Sequence, residues 1–442
     1  MDNINLLALI NLFSGVGNSL ASPFFPSLNS KFILTDAILG WIISIYSLAS
    51  TLFNPLVPFL IKKFSHIKLL CLAAILEACC TILYGFLIFL PSYNILLPIF
   101  FILRIIHGCN SSIIGVVVYS LAVSLSSKEE AKINLTYMEI GWSLGKIVGP
   151  IIGALCFKLG GYLLPFLFLG IILFFSLFLA KKIKLDLVKE EDANIKNKNI
   201  DDDIGKVFYS VETWIILFGF VIGIVVDCYF YPCLTYHLIY NYGISISLAS
   251  LFFTVPIIVY IITVYFLNKH QSKLGIYIAY TIGLISTSLG PLFVYPVKPL
   301  PKNLFLVSFG LTLIGAGQGP IFVQGFILLT NIIRKISPNY DEFSSNDISS
   351  TLNNITIDIG GFIGPIIGGF LTTKYNFNIC CFFMFLVAFI YLIAFLFYFY
   401  DNIKNELNFD FDEKAIKELK EKNDDIEKEK LIGDNEDKIE EK

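Results

Sequence analysis

Charge is what this chain has least of. Only 15% of its 442 residues are Asp, Glu, Lys or Arg, while 56% are hydrophobic. Soluble domains carry roughly 25% charged residues, so a soluble globular protein is excluded. The formal net charge of −3 offers no basic surface to a nucleic acid. Nine cysteines are present: Cys71, Cys79, Cys80, Cys109, Cys156, Cys228, Cys233, Cys380 and Cys381. The adjacent pairs Cys79-Cys80 and Cys380-Cys381 lack the two-residue gap of a metal or redox pair, and all nine fall in or beside apolar runs. They read as small buried packing residues. No phosphate-cradling glycine loop, metal motif or hydrolase constellation is present. That argues against an enzyme and against any nucleotide, metal or redox cofactor.

What the chain does have is apolar length. Mean hydropathy is +0.74, and a run of about twenty apolar residues crosses a bilayer core of roughly 30 Å. Twelve such runs are expected, at about 4–28, 36–61, 69–90, 95–125, 130–156, 162–182, 210–236, 244–267, 275–296, 304–333, 347–373 and 377–400. The first is too long for a cleaved signal and has no basic leader, so it reads as the first span. Two segments are polar and charged, 183–209 and 401–442. The expected layout is a six-helix bundle over 1–182, a cytosolic linker over 183–209, a second six-helix bundle over 210–400, and a charged cytosolic tail over 401–442. Lysine and arginine concentrate in alternate loops, with Lys62, Lys63 and Lys68, then Lys181, Lys182 and Lys184, then Arg334 and Lys335 on the side of the termini. The excess of positive charge places both termini in the cytosol. In the tail, Glu427 followed four residues later by Leu431-Ile432 fits a short acidic dileucine pattern that sorting adaptors read. A chance match in a Glu-rich tail explains it as well.

The string Gly-Pro-Ile-Ile-Gly occurs twice, at 149–153 and 364–368. Each copy is preceded four residues earlier by a glycine, Gly145 and Gly360. One half of the chain therefore looks like a copy of the other. Gly145, Gly149 and Gly153 recur every four residues and line one helix face, as do Gly360, Gly364 and Gly368. Such a face lets a second helix approach closely. Pro150 and Pro365 each remove a backbone hydrogen bond and bend their helices. Tight packing is one reading and a gating bend is the other, and the two are compatible. Membrane proteins built from two similar halves are commonly secondary transporters, with the binding site where the halves meet.

Ionisable residues within spans are the site candidates, because a charge in lipid is costly without a role or a partner. They are Glu139, Asp227, Asp358, Glu77, Arg104 and His107, with the neutral Asn110 beside them. Glu139 leads. A carboxylate that holds either a proton or a cationic amine is the simplest antiport device, since the two compete for one charge. A structural carboxylate near the helix end is the bland alternative. Asp227 precedes Tyr229, Phe230 and Tyr231, whose rings offer cation–π contact to an amine. Arg104 reads as a fixed charge that tunes or pairs a carboxylate. Glu77 is assigned to Arg104 or Lys146 as a partner, and Lys146 itself is expected to be paired. His107 titrates near neutral pH in its ordinary state, though a satisfied core histidine fits equally well. Gln318 and Gln324 are weaker candidates.

These residues resemble a known group. The pattern from Gly145 to Ala154 is similar to the fifth-helix signature of proton-coupled antiporters of the major facilitator superfamily. Arg104 with Gly108 resembles that superfamily's fourth-helix arginine motif. The loop at 62–68 stands where its basic loop falls but lacks the usual Asp and Gly. Pro23-Phe-Phe-Pro26, the string at 81–87, Met138-Glu139 and the string at 231–238 resemble the vesicular amine transporter family, within it the vesicular polyamine branch. The resemblance covers most of 4–400. The monoamine members carry an Asp where Asn18 or Ser22 stands here, and another where Asn354 stands. Asp358 lies one helical turn beyond, and Glu139 occupies the repeat-related position in the first half. These departures argue against a monoamine substrate.

The sequence thus predicts an all-α integral membrane protein of twelve helices in two pseudo-symmetric bundles. It is expected to be monomeric and to exchange a small organic cation, a polyamine or other amine, for protons across a vesicle, endosomal or plasma membrane. The proton gradient is the energy source. A broad-specificity drug/proton antiporter of the same fold is the alternative, and a non-transporting receptor or scaffold is the alternative of another class.

Overall fold

The computed structural model describes residues 3–126, 128–183, 207–269, 275–296, 301–338 and 342–408. Most of the linker and the tail, with Glu427, Leu431 and Ile432, lies outside the described residues. Twelve helices among those described are long and apolar enough to cross a membrane. We label them α1 (Asn3–Asn29), α2 (Asp36–Phe64), α3 (His66–Phe89), α4 (Tyr93–Ser124), α5 (Ile133–Gly160), α6 (Leu163–Lys182), α7 (Val211–Cys228), α8 (Ile246–Leu267), α9 (Ile276–Val294), α10 (Leu304–Ile336), α11 (Ile348–Lys374) and α12 (Phe377–Tyr398).

Local chemistry sets several of these limits. Thr35, Ser210, Ser245 and Asn303 each accept a hydrogen bond from the backbone N–H three residues on and so cap their helices. The chain reverses between α2 and α3 at the single residue Ser65, whose φ of 67° is unusual outside glycine. The seventh span is shorter than the run 210–236 expected from hydropathy. It ends at Cys228, a turn follows over Tyr229–Cys233, and a separate short helix runs from Leu234 to Tyr242. Pro232 explains the break, since it has no N–H to continue the ladder.

The helices form two bundles of six. In the first, α1 packs on α5, α2 on α4 and α3 on α6; in the second, α7 packs on α11, α9 on α10 and on α12. Each bundle has its own apolar core. The outward faces are apolar too: Phe382, Phe389, Ile390 and Ile393 of α12 are exposed. A helix that is apolar all round has lipid as its outer solvent.

The glycine repeats form the two equivalent seams. A Cβ at Gly141 would stand 2.6 Å from the Ala8 carbonyl oxygen, and one at Gly145 would overlap that of Leu12, so α5 lies directly on the backbone of α1. Gly360 and Gly364 sit on Val221, Ile224 and Val225 of α7, and a Cβ at Gly368 would overlap the Tyr229 carbonyl. These contacts are within a half. The halves meet along α2/α11 and α5/α8.

Between the halves, contact is closest at the end away from the termini. A Cβ at Gly40 would overlap the Pro365 carbonyl, and one at Gly369 that of Asp36. The Thr373 hydroxyl accepts from the Ala37 N–H at 2.8 Å, Trp41 and Phe362 meet edge to face, and Tyr236 and Thr235 donate to the carbonyls of Pro26 and Pro23. The far end is closed.

His237, on the short helix between α7 and α8, belongs to this cap. Its ring lies 4.2 Å from that of Phe377 and between Tyr242 and Tyr295. Burial, with a smaller push from Lys302, lowers its pKa from 6.5 to about 4. The unfolded chain therefore binds more protons than the folded one between pH 6.5 and 4. The neutral ring's stabilisation is complete above pH 6.5 and fades as pH falls to 4, by about 3 kcal/mol. Thermal unfolding in detergent is expected to show this loss, and His237→Gln to flatten it. Parallel pH curves for the two proteins would contradict the assignment.

Candidate functional site

Two polar groups lie within the membrane-spanning region. The first lies between the halves. Glu139 sits about 9 Å along α5 from its start, and Lys146 about 20 Å, two turns on and on the same face. Tyr119 of α4 donates to Glu139 Oε1 at 2.5 Å. Tyr260 of α8, in the other half, is near enough to interact with the Glu139 charge. Glu139 is solvent-exposed although helices of both halves surround it, so it faces a cleft rather than lipid. Asp227 lies about 24 Å along α7, near the closed end, and is 8% exposed. Tyr231 donates to its Oδ2 at 2.9 Å, and Gln318 of α10 lies beside it. The Lys146 ammonium stands 4.5 Å from the Trp142 ring centroid and within Coulombic reach of both Glu139 and Asp227. The ammonium makes no direct ion pair with either carboxylate, so the pairing expected of Lys146 is replaced by its contact with the Trp142 ring. Asp358 of α11 is half-buried at intermediate depth, 3.4 Å from Asn54 Nδ2 of α2 and beside Thr51.

The second group is sealed inside the first half. Glu77, His107 and Asn110 are 2%, 0% and 1% exposed. His107 Nε2 lies 3.1 Å from Glu77 Oε1, and Asn110 Nδ2 donates to Glu77 Oε2 at 2.5 Å. Tyr84 stands behind the imidazole, its hydroxyl 3.1 Å from Nδ1 and 3.2 Å from the Leu103 carbonyl oxygen. Glu77 is therefore partnered by His107, not by Arg104 or Lys146. Among the described residues, Arg104 pairs with no carboxylate either. Its Nε and Nη2 donate to the carbonyls of Ile42 and Ile43 at 3.0 and 2.9 Å, and its guanidinium lies over the Tyr46 and Phe25 rings. A planar fork satisfies two successive carbonyls of α2 in a way an ammonium cannot.

The structure places Glu139 and Asp227 at different depths with Lys146 within Coulombic reach of both, and sets Asp358 on the α2/α11 wall. It puts Glu77, His107 and Asn110 elsewhere. Tyr229 and Phe230 are wholly buried in the second half's core, so neither ring faces a bound cation; Tyr231 is used as a hydrogen-bond donor. Tyr119, Tyr84, Tyr46 and Asn54 escaped the sequence reading. Nothing marks the useful tyrosines among 22. Gln324 is 1% exposed and packed inside the second half. Among the described residues, no three His, Cys, Asp or Glu side chains are placed to hold a metal ion.

The model of the Major Facilitator Superfamily matches residues 7–341. The mouse (Mus musculus) MFS-type transporter SLC18B1 is 25% identical over 393 residues, covering 84% of this chain and 80% of its own. The human (Homo sapiens) protein of the same name is 23% identical over 384 residues, with the same coverages. Among solved structures, a bacterial homolog of the human lysosomal transporter Spinster, inward-facing and unoccupied, superposes with a TM-score of 0.67 at 11% identity, over 92% of this chain and 97% of that one. The nucleoside transporter NupG superposes with a TM-score of 0.69 at 14% identity, over 90% and 98%.

Proposed function

This chain belongs to the major facilitator superfamily of membrane transporters, and on that footing we propose that it moves a small organic cation by alternating access, in exchange for protons. One observation carries the reading: Glu139 and Asp227, from opposite halves and at different depths, both lie within Coulombic reach of the Lys146 ammonium, which makes a direct ion pair with neither. A cationic amine entering the cleft competes with Lys146 for these carboxylates. It gains charge-assisted hydrogen bonds that a neutral solute cannot make. Asp358 adds a further negative group for a second ammonium, which favours a polyamine over a monoamine.

With the termini in the cytosol, as the loop lysines favour, the closed far end faces the lumen or the outside, and the cleft opens inward. In a vesicle or endosome, protons leaving the acidic lumen drive amine entry. A monomer suffices, since both halves of the site come from one chain.

The test is uptake into proteoliposomes with an acidic interior, presenting spermidine, serotonin and a neutral sugar, each with and without an uncoupler. Uncoupler-sensitive uptake of spermidine, at least about tenfold above serotonin and sugar, is expected. Comparable uptake of unrelated cations would turn the reading toward a drug/proton antiporter. Flat traces for every compound would overturn it.

A further inference from the structure

The Glu77–His107 pair has no place in the cation site. It is walled off from the cleft, yet it is an acid beside a base inside a membrane protein, where such groups are costly without a role. We propose that this pair is the proton site of the transport cycle, separate from the cation site between the halves. The proposal rests on the proton-exchange reading above and deepens it.

Hydrogen-bond accounting supports it. Tyr84 has one hydroxyl hydrogen and two neighbours, His107 Nδ1 at 3.1 Å and the Leu103 carbonyl oxygen at 3.2 Å. A carbonyl only accepts. If Tyr84 donates to Leu103, Nδ1 must carry its own hydrogen and donate to the tyrosine oxygen. The Nε2···Oε1 contact at 3.1 Å then needs a second proton, either on Nε2 or on the carboxyl. That is the loaded pair. If the proton leaves, the imidazole keeps its hydrogen on Nε2 for the carboxylate, and Tyr84 turns its hydroxyl to Nδ1. The same heavy atoms thus satisfy both loads, with only hydrogens moving. Asn110 fits both as well. Its Nδ2 donates to Glu77 Oε2, and its Oδ1 is buried without a partner. The extra proton of the loaded pair lies in the Nε2···Oε1 contact, so Oε2 goes on accepting from the amide in either load.

The surroundings hold few other charges. From α1, Gly17 backs on Glu77 Oε1 with no titratable group. Tyr46 of α2 stacks edge-on to His107 at 5.1 Å. Cys80 and Tyr84 come from α3, Arg104 from α4, and the facing residues of α6 are Leu173 and Phe166. The fixed positive charge is Arg104, whose two bonds to Ile42 and Ile43 tie this group to α2. α2 is the helix that closes on α11 at Gly40. The load of the pair therefore sits one helix away from the moving seam. Tyr46 also donates to Ser111 at 2.6 Å and accepts from Asn18 at 2.7 Å; both are half-buried.

The experiment compares two rates in proteoliposomes, spermidine accumulation driven by an imposed pH gradient and spermidine counterflow without one. The ratio of the first to the second is expected to fall about tenfold or more in Glu77→Gln and in His107→Gln, whereas Glu139→Gln lowers both rates together. An unchanged ratio in both pair variants overturns the proposal. A second readout needs no substrate. In infrared difference spectra of the purified protein between low and high pH, a buried protonated-carboxyl or imidazolium band should disappear in Glu77→Gln, shift in Tyr84→Phe and persist in Glu139→Gln. If the wild type accumulates no spermidine, the amine reading fails while this band still decides the proton site. Loss of the band in Glu139→Gln alone would overturn it.

Discussion

Glu139→Gln and Asp227→Asn are each expected to cut cation uptake by roughly 30–150-fold, the equivalent of about 2–3 kcal/mol for a hydrogen bond to a charged group. Both substitutions keep the shape of the side chain. A Gln at 139 still accepts from Tyr119, and an Asn at 227 still accepts from Tyr231, so the neighbours that hold these side chains are kept. What goes is the negative charge. The two losses should differ in kind. On the proposed route Glu139, on the open side, would meet the cation first, so its loss should raise KM. Asp227, near the closed end, would engage the cation only when the halves are together there, so its loss should lower the maximal rate. Initial rates over a range of spermidine concentrations separate the two. Uptake within twofold of wild type in both variants would remove the carboxylates from the path and leave a non-transporting receptor or scaffold as the stronger reading.

Gly40→Val should bias the protein against the conformation described here. The added side chain would overlap the Pro365 carbonyl of α11. Backbone on both sides of this contact leaves nothing flexible to move aside. The contact lies between halves, so each bundle keeps its own core and the protein still folds. A penalty of about 2–3 kcal/mol on the closed far end shifts its population by roughly 30–150-fold. Spin labels at Ile33 and Tyr375, both exposed at that end, should move apart, with little change in the thermal midpoint. Gly145→Val tests the contrast. Its overlap with the Leu12 carbonyl falls inside the first bundle, so it should lower the thermal midpoint instead. Unchanged label distances in Gly40→Val would refute the account of the seal.

The two glycine seams were legible in the sequence because a repeat every four residues leaves one bare face. The spans were legible because bilayer thickness fixes their length. The seventh failed at its end because hydropathy reads Tyr229–Cys233 as membrane while Pro232 breaks the helix there. The site was half legible. Glu139, Asp227 and Asp358 stand out as charges in apolar runs. Their partners do not, because Tyr119 and Tyr231 look like any other aromatic residue of a membrane helix. Arg104 misled for a physical reason: a buried guanidinium suggests a carboxylate, but here two backbone carbonyls take its Nε and Nη2 while Nη1 is left without a partner. Gly40 and Gly369 were passed over because neither belongs to the repeat, though Gly369 directly follows Gly368. Successive residues of a helix face different neighbours, and here one glycine faces the turn that follows α7 and the next faces α2.

The far-end seal joins backbone to backbone at Gly40 and Gly369, with hydroxyls and aromatic edges around them. Its strength is then a matter of shape and of dry contact area, and counter-ions have little to screen. Closure should proceed alike in dilute buffer and in concentrated salt, whereas capture of the cation in the charged cleft should weaken as salt rises. Ionic strength would thus act on the cargo and spare the door.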